Sequence, residues 1–116
     1  MKLYAGSEKR KHPRLNANFI ISYRIKQTPE NYDLSQTKNV SQGGILLTTN
    51  KKFDKGLQLA LTIRFPFVSK RISVHGEVVE SKEVVRDLIY ETRVRFLDLD
   101  VDLFEKIGGF IKDHLR

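Results

Sequence analysis

The chain contains no cysteine. That excludes a disulfide framework, a thiolate metal site and a cysteine nucleophile, and it suits a reducing cytosol. Long apolar runs are missing as well. Stretches such as Gly44–Leu47 and Leu59–Ile63 fall far short of the roughly 20 residues that a membrane-spanning helix needs. The opening residues Met1-Lys2-Leu3-Tyr4-Ala5-Gly6 lack the apolar stretch of a signal peptide. The expectation is a cytoplasmic chain with no membrane insertion. Catalytic signatures are absent too. There is no Gly-x-x-x-x-Gly-Lys-Ser/Thr phosphate loop, and Ser41 does not stand in a Gly-x-Ser-x-Gly elbow. His12, His75 and His114 show no paired ligand spacing, and Asp98-Leu99-Asp100-Val101-Asp102 begins like a calcium loop without its glycine or distal glutamate. We therefore expect no catalytic residue, no metal and no cofactor: a protein that is not an enzyme.

What is there is a single domain's worth of sequence. At 116 residues the chain can bury one core with little surplus, so most strands should keep one wet face. No internal repeat, low-complexity stretch or interdomain linker interrupts it. The net charge is +7, and residues 1–26 carry seven basic side chains against one acid, Glu8, which leaves the remainder nearly neutral. A basic excess gathered at one end points to an anionic partner: a nucleotide, a nucleic acid or a membrane surface.

Residues 1–14 are polar and aperiodic, and Pro13 pushes His12 toward extended geometry, so this stretch reads as an arm. Strands are expected over Asn18–Ile25, around Lys38–Ser41 and Gly44–Thr49, over Leu57–Phe65, Arg71–Glu80 and Leu88–Leu97. The last two should be joined by a charged connection. Thr28-Pro29-Glu30-Asn31, within 27–33, reads as a turn. Phe19, Tyr23, Phe65, Phe67 and Phe96 lie in strand patterns and are expected in the core. The period then changes: Leu103, Ile107, Phe110 and Ile111, with Phe104 and Leu115 beside them, recur as on an amphipathic helix. Asp100 and Asp102 sit where carboxylates cap such a helix. Gly108-Gly109 costs it about 1 kcal/mol per residue, so the helix either packs tightly there or breaks. Six strands and a helix suggest an antiparallel barrel or sandwich closed by a C-terminal helix.

Two clusters can carry binding chemistry. Arg10 and Arg14 stand four apart just before the first strand, and each offers a planar fork of donors that fits phosphate oxygens or the O6/N7 edge of guanine. Asn39-Val40-Ser41-Gln42-Gly43-Gly44 places two hydrogen-bonding side chains two residues apart, on one face if the segment is extended. Gly43 and Gly44 can supply a positive-φ turn and a close approach to backbone. Alone, the second cluster also reads as a turn whose side chains bond their own backbone.

Together these residues resemble the PilZ domain family, whose signatures are Arg-x-x-x-Arg and Asp/Asn-x-Ser-x-x-Gly. Arg10 and Arg14 fill the first; Asn39, Ser41 and Gly44 fill the second. His75-Gly76-Glu77-Val78-Val79 and Thr92-Arg93-Val94-Arg95-Phe96 resemble the family's paired barrel strands, and the likeness extends over residues 8–115. The resemblance implies a six-stranded antiparallel barrel with a C-terminal helix, residues 18–116, preceded by a basic flexible arm, residues 1–17. It implies the ligand cyclic di-GMP on the barrel's outer surface, bound by Arg10, Arg14, Asn39, Ser41 and Gly44, with Lys9, Lys11 and Gly43 in support. Asn39 replaces the aspartate of many members, and Arg93-Val94 stands where many have a glycine.

By this reading the arm orders when the ligand's phosphates offset its charge, and the new surface signals to a protein effector. No nucleic acid polymer is expected as a partner. Two rivals remain: a degenerate member acting only by protein contact, and a small basic barrel binding RNA or single-stranded DNA.

Overall fold

A computed structural model describes residues 12–26 and 33–114. Seven strands and one helix follow in order: β1 Leu15–Asn16, β2 Ile20–Ile25, β3 Asp33–Val40, β4 Gly44–Thr49, β5 Gln58–Arg64, β6 Ile72–Val85, β7 Ile89–Phe96 and α1 Val101–His114. Every pairing is antiparallel. β3, β2, β5, β6, β7 and β4 are neighbours in that order, and a β3–β4 pairing closes the ring into a six-stranded barrel. Closure removes the free edges that an open sheet would present.

The barrel forms because each strand alternates. Ile21 and Tyr23 on β2, Ile45 and Leu47 on β4, Leu59, Leu61 and Ile63 on β5, and Val74 and Val78 on β6 all point inward and are buried. Burying each such side chain contributes about 1.5–3 kcal/mol relative to exposure. At one end, where β2 begins and β3 and β5 finish, α1 lays Leu103, Ile107 and Ile111 into the same core. Phe19, Phe65, Phe67 and Phe110 join them there, with Phe19 edge-on to Phe65 at 5.3 Å between ring centroids and Phe110 5.0 Å from Phe67. Phe19, Tyr23 and Phe65 are buried, whereas Phe67 and Phe96 pack against the core while only partly covered.

α1 starts at a cap: the Asp100 carboxylate accepts the Leu103 amide at 2.8 Å. Asp102, the other expected capping residue, instead pairs with Lys106 one turn on at 3.2 Å. The helix does not break at Gly108-Gly109. A Cβ on Gly108 would run into the Gln42 carboxamide, whose nitrogen donates to the Phe104 carbonyl at 2.9 Å. Tertiary packing thus offsets the helix cost at Gly108, while a Cβ on Gly109 would meet no neighbouring element within 4 Å among the described residues. No helix among the described residues is long and apolar enough to cross a membrane.

Several boundaries differ from expectation. Leu15 and Asn16, placed with the arm, form β1 against Val40 and Asn39, and Leu15 is buried. β2 begins at Ile20, two residues later than Asn18. β3 begins at Asp33, inside the stretch expected as turn, because it has β2 to pair with along its first half. The charged stretch Ser81–Val85 is strand rather than connection: β6 is 14 residues long and carries the β6–β7 hairpin beyond the point where β5 stops pairing. Its side chains are nearly all exposed there, so the polar pattern hides a strand held by one neighbour only. The turn cluster Thr28-Pro29-Glu30-Asn31 and Leu115 lie outside the described residues.

Asp98 ties the end of β7 to the start of β6, accepting the His75 amide at 2.7 Å and facing the His75 ring nitrogen at 2.8 Å. Partial burial works to raise its pKa, but the two hydrogen bonds and the charge of His75 outweigh that and hold it below the ordinary 3.8. A depressed carboxylate pKa stabilises the fold above the unfolded value, and that stabilisation is lost as pH falls through the folded one. Asp98→Asn should therefore lower the urea midpoint at neutral pH, and its deficit relative to wild type should vanish on the acid side of 3.8. A second prediction concerns α1. Gly109→Ala should stabilise the protein by about 0.5–1 kcal/mol, read as a melting temperature roughly 3–6 °C higher. Gly108→Ala should gain less or lose stability, because its methyl must displace Gln42.

Candidate functional site

Ser41 begins the turn between β3 and β4, and its hydroxyl organises that turn. Its Oγ accepts the amides of Gly43 and Gly44 at 3.1 and 3.2 Å, while its own amide donates to the Gly44 carbonyl at 2.8 Å. The Gly43 carbonyl in turn accepts the Phe96 amide at 2.8 Å, which pins the turn to the end of β7. Gly43 and Gly44 do not take positive φ; among the described residues Gly56 and Asp87 do. Glycine at 44 answers a different demand. Gly44 lies opposite Arg95, and a Cβ there would collide with the Val94 carbonyl and stand 2.9 Å from the Arg95 Cα. Gly43 is tight as well, its nearest neighbour for a Cβ being the His12 ring at 3.3 Å.

Beside this turn, on the outer face of the barrel, lies a cleft of about 240 Å³ lined by His12, Arg14, Ser41, Gly43, Gly44, Ile45, Val79, Arg93, Val94 and Arg95. Among the described residues three arginines and a histidine line it and no acid does. The glycine amides of the turn are already engaged by Ser41, so the side chains carry the capacity to hold an anion. Each element has a local reason to be there. β1 delivers Arg14 by pairing Leu15 with Val40 at the root of the turn. His12 rests edge-on against Phe104 of α1, ring centroids 5.5 Å apart. Val79 is the extra residue of a β-bulge, since Val78 pairs with Val94 and Glu80 with Arg93, and as the neighbour of the inward Val78 it faces out into the cleft. Arg95 is held by Glu77, its cross-strand partner, at 2.7 Å from Nε.

Asn39 is close by but not in the lining. A second bulge, at Lys38, explains its position: Thr37 pairs with Leu47 and Asn39 with Leu46. Without the extra residue Asn39 would share the inward face of Thr37; with it, Val40 is buried and Asn39 turns outward. Its side-chain oxygen is nevertheless buried and accepts no hydrogen bond among the described residues. Asn39 and Ser41 therefore do not form one extended face: Asn39 is the penultimate residue of β3, while Ser41 is a buried turn residue.

Of the residues singled out from sequence, Arg14, Ser41, Gly43 and Gly44 meet in the cleft, and Asn39 flanks it. Arg10, Lys9 and Lys11 lie outside the described residues. His12, Val79, Arg93 and Arg95 were not singled out. Arg93 and Arg95 had a detectable signal, two outward positions flanking the inward Val94, but strand position alone does not show that the Ser41 turn folds against them. No group of side chains suited to a metal ion occurs among the described residues.

No curated protein sequence matches the chain. Its fold is similar to that of the Bacillus subtilis inhibitor of motility MotI/DgrA, with a TM-score of 0.77 and 17% identity over 94% of this chain and 54% of that one. It is also similar to the PilZ domain of YcgR from Escherichia coli, solved with c-di-GMP, at a TM-score of 0.67 and 10% identity over 91% of both chains. The K. pneumonia MrkH–c-di-GMP complex gives 0.69 and 18% over 91% of this chain and 52% of that one. The chain thus spans about half the length of MotI/DgrA and MrkH. At such identities the likeness speaks to fold. The sequence itself matches the PilZ domain over residues 8–113, and the chain belongs to the PilZ domain family.

Proposed function

We propose that this chain is a cyclic di-GMP receptor that binds the dinucleotide on the outer face of its barrel and is not an enzyme. The observation that carries the reading is the basic cleft lined by His12, Arg14, Arg93 and Arg95 beside the Ser41 turn, in a chain of this family. A cyclic dinucleotide brings two phosphates for the arginines, and guanine edges rich in both donors and acceptors. The buried oxygen of Asn39, unmatched among the described residues, calls for a donor, which the N1 and N2 positions of guanine provide. YcgR and MrkH, of the same fold, were solved with c-di-GMP.

Each residue has a role in this proposal. Arg10 and Arg14 close over the ligand, with Lys9 and Lys11 adding positive charge. Asn39 meets a guanine edge, Ser41 and Gly43 hold the turn, and Gly44 keeps it seated on β7. The functional division is an arm over residues 1–17 and a barrel over residues 18–116, with β1 anchoring the arm beside the site. Ligand binding fixes the arm, and the altered surface signals to a protein effector. No further cofactor takes part, and the protein works in the cytoplasm. A single-stranded nucleic acid partner would need exposed aromatic platforms, and Phe19, Tyr23 and Phe65 are instead buried.

Calorimetric titration should give saturable binding to cyclic di-GMP and none to GTP or cyclic di-AMP. Absence of heat with a well-folded protein would select an adaptor that acts by protein contact alone. Arg14→Ala and Arg10→Ala should each weaken binding by roughly 5- to 150-fold, the loss of one bidentate guanidinium contact, with melting temperature unchanged. Wild-type affinity in Arg14→Ala would remove the arm from the mechanism.

A further inference from the structure

A row of cross-strand partners beside the cleft carries three different chemistries. Asn39 on β3 stands opposite Leu46 on β4, and Leu46 stands opposite Arg93 on β7. All three are half-buried. Leu46 lies between the inward-facing Ile45 and Leu47, so it points to the outer face, as Asn39 does after its bulge. Neighbouring strands are about 4.8 Å apart, which puts Asn39 and Arg93 about 10 Å apart with an apolar side chain between them.

A flat ring lying over Leu46 would meet an acceptor along one edge, the unmatched Asn39 oxygen. Along the opposite edge it would meet the donor fork of Arg93, which also lines the cleft. Guanine has a complementary arrangement: the N2 amino donor on its minor-groove edge, and the O6 and N7 acceptors on the opposite, major-groove edge. Adenine does not, because its N6 amino group donates where the O6 of guanine accepts. Arg95 is differently placed, two cross-strand pairs further along and opposite Gly44 and Glu77. Arg93 is fixed at its backbone by Leu46 on one side and Glu80 on the other.

We infer that Arg93 sets the base specificity of this site by bonding the O6/N7 edge of a guanine whose opposite edge faces Asn39. The inference rests on the cyclic di-GMP reading and adds to it a strand-borne residue outside both sequence signatures. Glutamine in the same place matches the N6/N7 edge of adenine, which makes the idea testable as an exchange of preference.

The test is titration of wild type, Arg93→Ala and Arg93→Gln with cyclic di-GMP and cyclic di-AMP at several salt concentrations, with thermal melts to confirm folding. Both variants should lose tenfold or more in affinity for cyclic di-GMP while keeping the salt dependence of wild type. Arg93→Gln should in addition bind cyclic di-AMP more tightly than wild type does. Undiminished affinity in Arg93→Ala overturns the assignment. So does a loss accompanied by a salt slope smaller by about one unit, the mark of a phosphate contact. Those outcomes leave the receptor reading intact, whereas failure of wild type to bind cyclic di-GMP overturns both.

Discussion

Gly44 lies so close to β7 that no side chain fits between them, and much of the site follows from that contact. It allows β4 to pair with β7 from Gly44↔Arg95 to Thr49↔Tyr90 while β4 also pairs with β3. The barrel is closed through those two pairings. The same contact brings the Ser41 turn against the end of β7, where the Phe96 amide reaches the Gly43 carbonyl. A cleft flanked by Arg93 and Arg95 on one side and by the turn on the other is the geometric result. Ser41 serves this arrangement from within, its hydroxyl satisfying two amides that the turn would otherwise leave without a protein partner.

The turn is tied to the helix as well as to the barrel. Gln42 donates to the Phe104 carbonyl and fills the space over Gly108, and His12 sets its ring against Phe104. One segment of α1 thus supports two neighbours of the cleft, the residue in the middle of the turn and the residue two places before Arg14. The glycine that costs the helix stability is the one that lets the turn approach it. Gly109, one residue on, has no such role, and the pair reads alike in sequence although the two meet different demands.

The architecture was legible because it rests on periodicity. Ile21 and Tyr23, and then Leu59, Leu61 and Ile63, alternate as half-buried strands must, and Leu103, Ile107 and Ile111 change to the helical step. The family was legible because Arg10, Arg14, Asn39, Ser41 and Gly44 stand at the signature spacings. What escaped a linear reading depends on register. The bulges at Lys38 and Val79 each insert one residue and reverse the inside-outside alternation beyond it. That is why Asn39 faces outward, and why Glu80 faces outward directly after Val79. The extension of β6 through Ser81–Val85 escaped for a related reason: with exposed side chains and one strand neighbour it has no apolar face to announce it. At Gly44 the close approach to backbone is realised and the positive φ is not, so its use is the absence of a side chain.

The central claim is that the Ser41 turn and the facing stretch of β7 form one ligand surface. The direct measurement is an amide-resolved NMR titration of the isotope-labelled protein with cyclic di-GMP. The account predicts that the largest shifts fall on Gly43, Gly44, Arg93 and Arg95 and on the side-chain amide of Asn39. Shifts centred instead on Leu34, Leu88 and Ile89, which line a separate cleft at the opposite end of the barrel, would contradict it.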